Sequence, residues 1–192
     1  MRASTAACCL ASSSATLLST GRVLIRRQRS FHNIASHEVR VGQKVLVKSD
    51  DAVSHNVNAD PLRNQRVNLL VGLNNRVGLE LVYSEWERIP FAVKCDVHTW
   101  MKAYHLVLDH PFMAITDSEG KFEIKDLPVG KHKFRIWHER AEILERSYEV
   151  EIKANETTEI SLSYSEDKFN LVGIPYTNTE TNSSQLRFTT GE

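Results

Sequence analysis

Cysteine, histidine and methionine recur at intervals of three in Cys95-Asp96-Val97-His98-Thr99-Trp100-Met101. A thiolate, an imidazole and a thioether so spaced on a tight loop leaving a strand can converge on one point. A second imidazole stands upstream in Ser54-His55-Asn56-Val57, after an apolar run and a polar turn. Two imidazoles and a thiolate with a weak axial thioether form the ligand pattern of a blue-copper electron-transfer site. Each residue type has a use there. Thiolate and thioether stabilise Cu(I), imidazoles serve both oxidation states, and a stiff β scaffold limits rearrangement when the electron moves. Two plainer readings compete. Cys95, alone in the body of the chain, reads equally as a small buried hydrophobe. Zinc accepts Cys and His but gains nothing from a thioether, so Met101 favours copper.

The other polar residues offer less. His105 lies at an apolar strand position, and it and His110 read as structural. His132 and His138 read as surface or packing residues. Trp100, inside the loop, shields the site by packing or offers a docking surface, with shielding the safer view. Trp86 and Trp137 are expected in the core. Asp50, Asp51 and Asp96 do not form a carboxylate pair at a convincing spacing. No Ser-His-Asp set, phosphate-binding loop or dinucleotide fingerprint is visible, so no catalytic residue is assigned and no enzyme is expected. Asn155-Glu156-Thr157 and Asn182-Ser183-Ser184 match a glycosylation acceptor as short patterns often do by chance.

The elements that must position these residues read as strands. Lys44 to Lys48, Val67 to Leu73, Val77 to Tyr83, Phe91 to Val93 and Tyr104 to Leu108 are apolar or alternating runs. Asn58 to Asn68 is polar and reads as a loop, and Asn74-Asn75 as a turn. After Pro111 the alternation sharpens. Asp117-Ser118-Glu119-Gly120 and Leu127-Pro128-Val129-Gly130 are turns between short strands. Phe134 with Ile136, Tyr148 with Val150 and Ile152, and Ile160 with Leu162 and Tyr164 keep a period of two. Short strands at regular spacing point to an antiparallel sandwich.

Composition adds boundaries. The chain has 192 residues, 41% of them hydrophobic, with 24 basic and 24 acidic side chains. That balance gives no reason to expect nucleic acid as a partner, and no apolar run is long enough to span a bilayer. Residues 1–37 hold five arginines, many Ser, Thr and Ala, the pair Cys8-Cys9, and no acid before Glu38. Such a composition suits a mitochondrial-type presequence, a disordered tail or an extended start better than a secretory signal. Residues 166–192 are rich in Thr, Asn and Ser and read as a flexible tail.

Here a family resemblance joins the reading. His-Asn-Val at 55–57, followed by Cys-x-x-His-x-x-Met at 95–101, resembles the cupredoxins, and the short ligand loop is most similar to that of amicyanin. Val41-Gly42-Gln43-Lys44-Val45-Leu46-Val47 with Asp50 and Asp51 resembles the strand ahead of the first ligand. The likeness covers residues 38–110. It implies that His55, Cys95, His98 and Met101 hold one mononuclear copper. It further implies that Asn56 ties the two ligand loops together, and that the His98 edge passes the electron. The family's leading strands would have to come from the segment before Glu38, with Phe31 to Ile34 as a candidate. Residues 111–165, through Thr116-Asp117, Gly120-Lys121-Phe122, Ile124 and Leu127-Pro128 with Gly130, resemble a carboxypeptidase regulatory-like (transthyretin-like) module.

The expected architecture is all-β: a Greek-key, cupredoxin-like β-sandwich followed by a short antiparallel β-sandwich module. The expected function is type 1 copper binding with electron transfer to a redox partner protein, in the periplasm or secreted. The alternative is a non-catalytic interaction module of the cell envelope with a degenerate or storage-type metal site.

Overall fold

The computed structural model describes residues 7–11, 23–25, 35–116, 120–139, 141–169 and 183–188. The N-terminal candidate Phe31 to Ile34, residues Asp117 to Glu119 of the first turn and Asn182 of the second sequon lie outside them. The regular elements are strands, with one 3₁₀ turn at Glu166–Phe169, so the protein is an all-β sandwich structure as its period-two patterning predicts. The chain divides into two units, residues 15–111 and residues 1–14 with 112–192. Strand β1 (Ala7–Ala11) belongs to the second of these.

Residues 15–111 carry eight strands: β2 (Val23–Ile25), β3 (Ala35–Arg40), β4 (Lys44–Val47), β5 (His55–Ala59), β6 (Val67–Val71), β7 (Leu79–Val82), β8 (Phe91–Lys94) and β9 (Lys102–Leu108). They form a three-stranded sheet ordered β2-β4-β7 and a five-stranded sheet ordered β3-β9-β8-β5-β6. The segment ahead of Glu38 thus supplies backbone to both sheets: β2 runs parallel to β4 and β3 parallel to β9. Val45 and Leu81 from the smaller sheet meet Val39, Val57, Ala59, Val71, Phe91 and Val107 from the larger in one buried cluster with Tyr83. Between β6 and β7 the chain turns at Asn74, in the left-handed region with φ 51°. It then passes Gly78 (φ 92°), where a β-carbon would come within 2.9 Å of the Leu46 side chain. Only glycine meets both demands there.

The polar stretch after β5 is shorter than its composition suggests, because β5 keeps pairing with β6 through Asn58 and Ala59. The buried Glu87 holds this connection in place. Its carboxylate accepts the backbone N–H groups of Leu62 (3.2 Å), Arg63 (2.8 Å) and Asn64 (3.1 Å) and the Asn64 amide (2.9 Å). That inward aim sends its neighbour outward: Trp86, expected in the core, is 37% exposed, with the Arg63 guanidinium 4.4 Å above its ring. An acid, not the tryptophan, is the buried side chain of this segment, because three loop N–H groups need an acceptor.

The other unit adds β10 (Met113–Ile115), β11 (Phe122–Ile124), β12 (Gly130–His138), β13 (Glu142–Ile152), β14 (Thr158–Ser163) and β15 (Ser183–Phe188). Its sheets are ordered β10-β1-β12-β13 and β11-β15-β14. Phe122, Ile124, Phe134, Ile136, Val150 and Ile152 are buried, as alternation predicts; Trp137, expected in the core, is buried beside Ile136 where the register shifts, and His132 and His138 are buried too. Within the stretch read as a tail, the 183–188 backbone pairs antiparallel with β14 and parallel with β11.

His105 on β9 is buried against Tyr83, Phe91 and His37, with the Tyr83 hydroxyl 3.1 Å from its Nδ1. Burial, and then the neighbouring His37, push its pKa down to about 3. The folded chain therefore keeps the ring neutral where the unfolded chain, with histidine near 6.5, takes up a proton. Stability from this group is full above pH 6.5 and is lost as pH falls toward 3, at up to roughly 1.4 kcal/mol per pH unit. Urea unfolding between pH 6.5 and 4 is expected to show that slope, and His105→Phe to flatten it. An equal slope in the variant would refute the assignment.

Candidate metal centre

β5 runs antiparallel to β8, with Asn58 opposite Lys94 and Ala59 opposite Val93. Continuing that register past the end of β8 lays Cys95 and the residues after it beside the start of β5. The pleat sends alternate side chains to opposite faces. His55, Val57 and Ala59 share one face of β5, while Asn56 and Asn58 share the other.

Three of the four residues singled out by spacing come together. His55 Nδ1 lies 3.0 Å from His98 Nδ1 and 4.0 Å from Cys95 Sγ, and the Cys95 Sγ to His98 Nδ1 distance is 3.6 Å. Among the described residues these form the one group of three His, Cys, Asp or Glu side chains suited to a metal ion. The centre of a triangle with those sides lies about 2.1 Å from each corner. Metal–imidazole bonds run at ~2.0–2.1 Å and metal–thiolate bonds at ~2.3 Å, so one ion fits the donors with little movement. Cys95 is 3% exposed and free of any disulfide, His55 is buried, and His98 is half-buried.

Met101 belongs to the same loop and is half-buried. Its backbone closes the loop: Cys95 N–H donates to its carbonyl (3.1 Å), and its own N–H donates to the His98 carbonyl (2.8 Å). These bonds fold six peptide units into a tight turn and bring the backbone at Met101 back against Cys95. Trp100 meets the His98 ring edge-on at a centroid distance of 5.3 Å, yet is 61% exposed, so it leans on His98 without covering the site.

The polar face of β5 clasps the ligand loop. Asn56 Nδ2 donates to Asp96 Oδ2 (2.7 Å), and the Asp96 backbone N–H donates to Asn56 Oδ1 (2.7 Å). Asn58 Nδ2 lies 3.0 and 2.8 Å from the two oxygens of the same carboxylate. The Asn58 amide first, then that of Asn56, with Lys94 nearby, hold the Asp96 carboxyl below the usual aspartate range, against a smaller opposing effect of burial. The link from Asn56 to the loop is the one implied by the family resemblance. Asn58 and Asp96 were not singled out for it, although the two asparagines stand two apart on a strand and so share a face.

Asp51 is a further residue that the sequence reading passed over. Its Oδ2 lies 2.8 Å from His55 Nε2, at the ring nitrogen away from Cys95. Its backbone is fixed on both sides: the N–H donates to Ser49 Oγ (3.2 Å), and the carbonyl accepts the N–H of Asn74 (2.8 Å). An acid four residues before a candidate ligand was the available signal, since histidines that bind metal commonly give their other nitrogen to a carboxylate. Asp51 was weighed as half of a carboxylate pair and as part of the segment resembling the strand ahead of the first ligand, but not as a partner of His55.

No family model matches the chain, and no curated protein matches it. Several solved structures do. A novel purple cupredoxin from Nitrosopumilus maritimus is 22% identical over 38% of this chain and 77% of its own, with a TM-score of 0.31. A reduced tryptophan-to-tyrosine mutant of amicyanin is 16% identical over 52% of this chain and 98% of its own, with a TM-score of 0.38. A Cu(I) methionine-to-alanine mutant of amicyanin is 15% identical over the same shares, also with a TM-score of 0.38. With identities and scores this low, the meaning of the site rests on its own donor atoms.

The clasp predicts local protection. Asn56→Ala removes the acceptor of the Asp96 N–H and one donor to its carboxylate. Native-state hydrogen exchange at Asp96 is then expected to speed up on the order of tenfold, with the amides of β3 unchanged. Unaltered exchange at Asp96 would show that the loop holds itself.

Proposed function

We propose that this protein is a type 1 copper protein that carries electrons, with no catalysis of its own. The observation that carries the reading is the triangle of His55 Nδ1, Cys95 Sγ and His98 Nδ1, sized for one ion about 2.1 Å from each. A thiolate with two imidazoles is a copper set, and the thioether of Met101 on the same loop suits copper and not zinc. Copper bound there would supply one-electron chemistry between Cu(I) and Cu(II).

The protein's contribution is to hold the donors before and after that step. His55 comes from a strand inside a sheet, Cys95 follows the strand paired with it, and the Asn56–Asp96 contacts join the two. Half-buried His98, with exposed Trp100 and Val97 around it, is the side of the site nearest solvent, and a redox partner would meet it there. Residues 111–165 are proposed to form a non-catalytic, carboxypeptidase regulatory-like β module. Among the described residues no helix is long and apolar enough to cross a membrane. A periplasmic or secreted location is part of the proposal.

Titration of the purified chain with Cu(II), followed by visible absorption, tests this directly. An intense thiolate-to-copper band saturating at one equivalent in the wild type and absent from Cys95→Ser is the expected result. A folded wild type with no such band would overturn it and leave a β-sandwich interaction module.

A further inference from the structure

Two carboxylates flank the donor set, one in contact with His55 and one on the opposite face of the paired strands. Asp51, on the connection from β4 to β5, faces the outer nitrogen of His55 at 2.8 Å. Asp96 directly follows Cys95 and is held by the amides of Asn56 and Asn58, with Asn68 Nδ2 at 3.5 Å. Neither carboxylate is positioned by chance. Asp51 is fixed through Ser49 and Asn74, and Asp96 through two strands of one hairpin.

Their chemistry differs in route and agrees in sign. Asp51 accepts the hydrogen of His55 Nε2, which leaves the Nδ1 lone pair directed to the Cys95–His98 side and makes that nitrogen a stronger donor. Asp96 places a fixed negative charge one residue from the thiolate. The cation set against it is Lys94, whose Nζ is 3.6 Å away; both side chains are exposed, so water screens the pair and reduces the reach of the Asp96 charge as well. The thiolate and, through His55, the Asp51 carboxylate favour the higher positive charge on an ion held there, and the Asp96 carboxylate adds its charge from the opposite face of the strand. An added electron meets all three.

We propose that Asp51 and Asp96 bias the His55–Cys95–His98 site toward its oxidised, divalent ion, making it a low-potential centre that gives up its electron readily. The inference rests on the copper reading above. Asp51 is a positioning residue, acting on the ion through His55, and Asp96 acts through charge.

The experiment uses the full chain, metal-free and copper-loaded, as wild type, Asp51→Asn, Asp51→Ala, Asp96→Asn and Asp60→Asn. Asp60 is an exposed control, paired loosely with Arg66 at 3.9 Å and about 16 Å along β5 from His55. In the metal-free chain, nitrogen NMR of His55 is expected to show the Nε2–H tautomer in wild type and in Asp51→Asn, which keeps an acceptor. Asp51→Ala should give a mixture. In the loaded chain, redox titration is expected to show the potential raised in Asp51→Asn and Asp96→Asn and unmoved in Asp60→Asn. Competition titrations should show Cu(II) affinity falling on the order of tenfold in Asp51→Ala, and Cu(I) affinity falling less. A copper band intact in every variant with potentials equal to wild type would overturn the bias while leaving the copper reading standing. No band in the wild type would overturn both. A His55 tautomer indifferent to Asp51→Ala would remove Asp51 from the positioning role even if the potential moved.

Discussion

The antiparallel pairing of β5 with β8 is the constraint on which the site depends. His55 and Cys95 lie on separate stretches of chain, and what sets their distance is the register that puts Asn58 opposite Lys94. Side chains alternate along a strand, so a slip of one residue would turn His55 to the opposite face and bring Asn56 to the donor side. Several features guard that register. Glu87 ties the connection after β5, Val57 and Ala59 of β5 are locked into the core, and the asparagines of its polar face grip Asp96.

The grip has a further use. Two imidazole nitrogens are held 3.0 Å apart, a separation that one ring's N–H can bridge in the appropriate tautomer. The ligand loop is closed on itself by Cys95 and Met101 backbone bonds and fastened to β5 by a carboxylate that receives amides from Asn56 and Asn58. The scaffold bears the cost of assembling the donors in advance.

Much of this was legible in the sequence. The Cys-x-x-His-x-x-Met spacing and the strand alternation around β12 and β13 follow from residue type and period, which are local properties, while the role of Asn56 came from the family resemblance. What escaped notice depends on pairing. Asp51 means little until the Asn74 turn pins it beside His55, and Asp96 reads as a surface acid until Asn56 and Asn58 are known to face it. Trp86 shows the limit from the other side: hydrophobicity assigns it to the core, yet the need of three loop N–H groups for an acceptor buries Glu87 in its place. Strands β2 and β3 carry no strong signal of their own, since their pairing with β4 and β9 is parallel and their partners are distant in sequence.

The placement of β1 has a consequence for how the chain is made. It pairs with β10 and β12, while residues 15–111, which carry the His55–Cys95–His98 group, are a guest inserted into a host. On a ribosome the host's first strand emerges early and must wait for about 100 further residues before its neighbours exist, some 5–20 s at common elongation rates. The guest is complete by then. Its donors can be assembled while the host is still one unpaired strand, so the order of synthesis puts the His55–Cys95–His98 group ahead of the rest of the host.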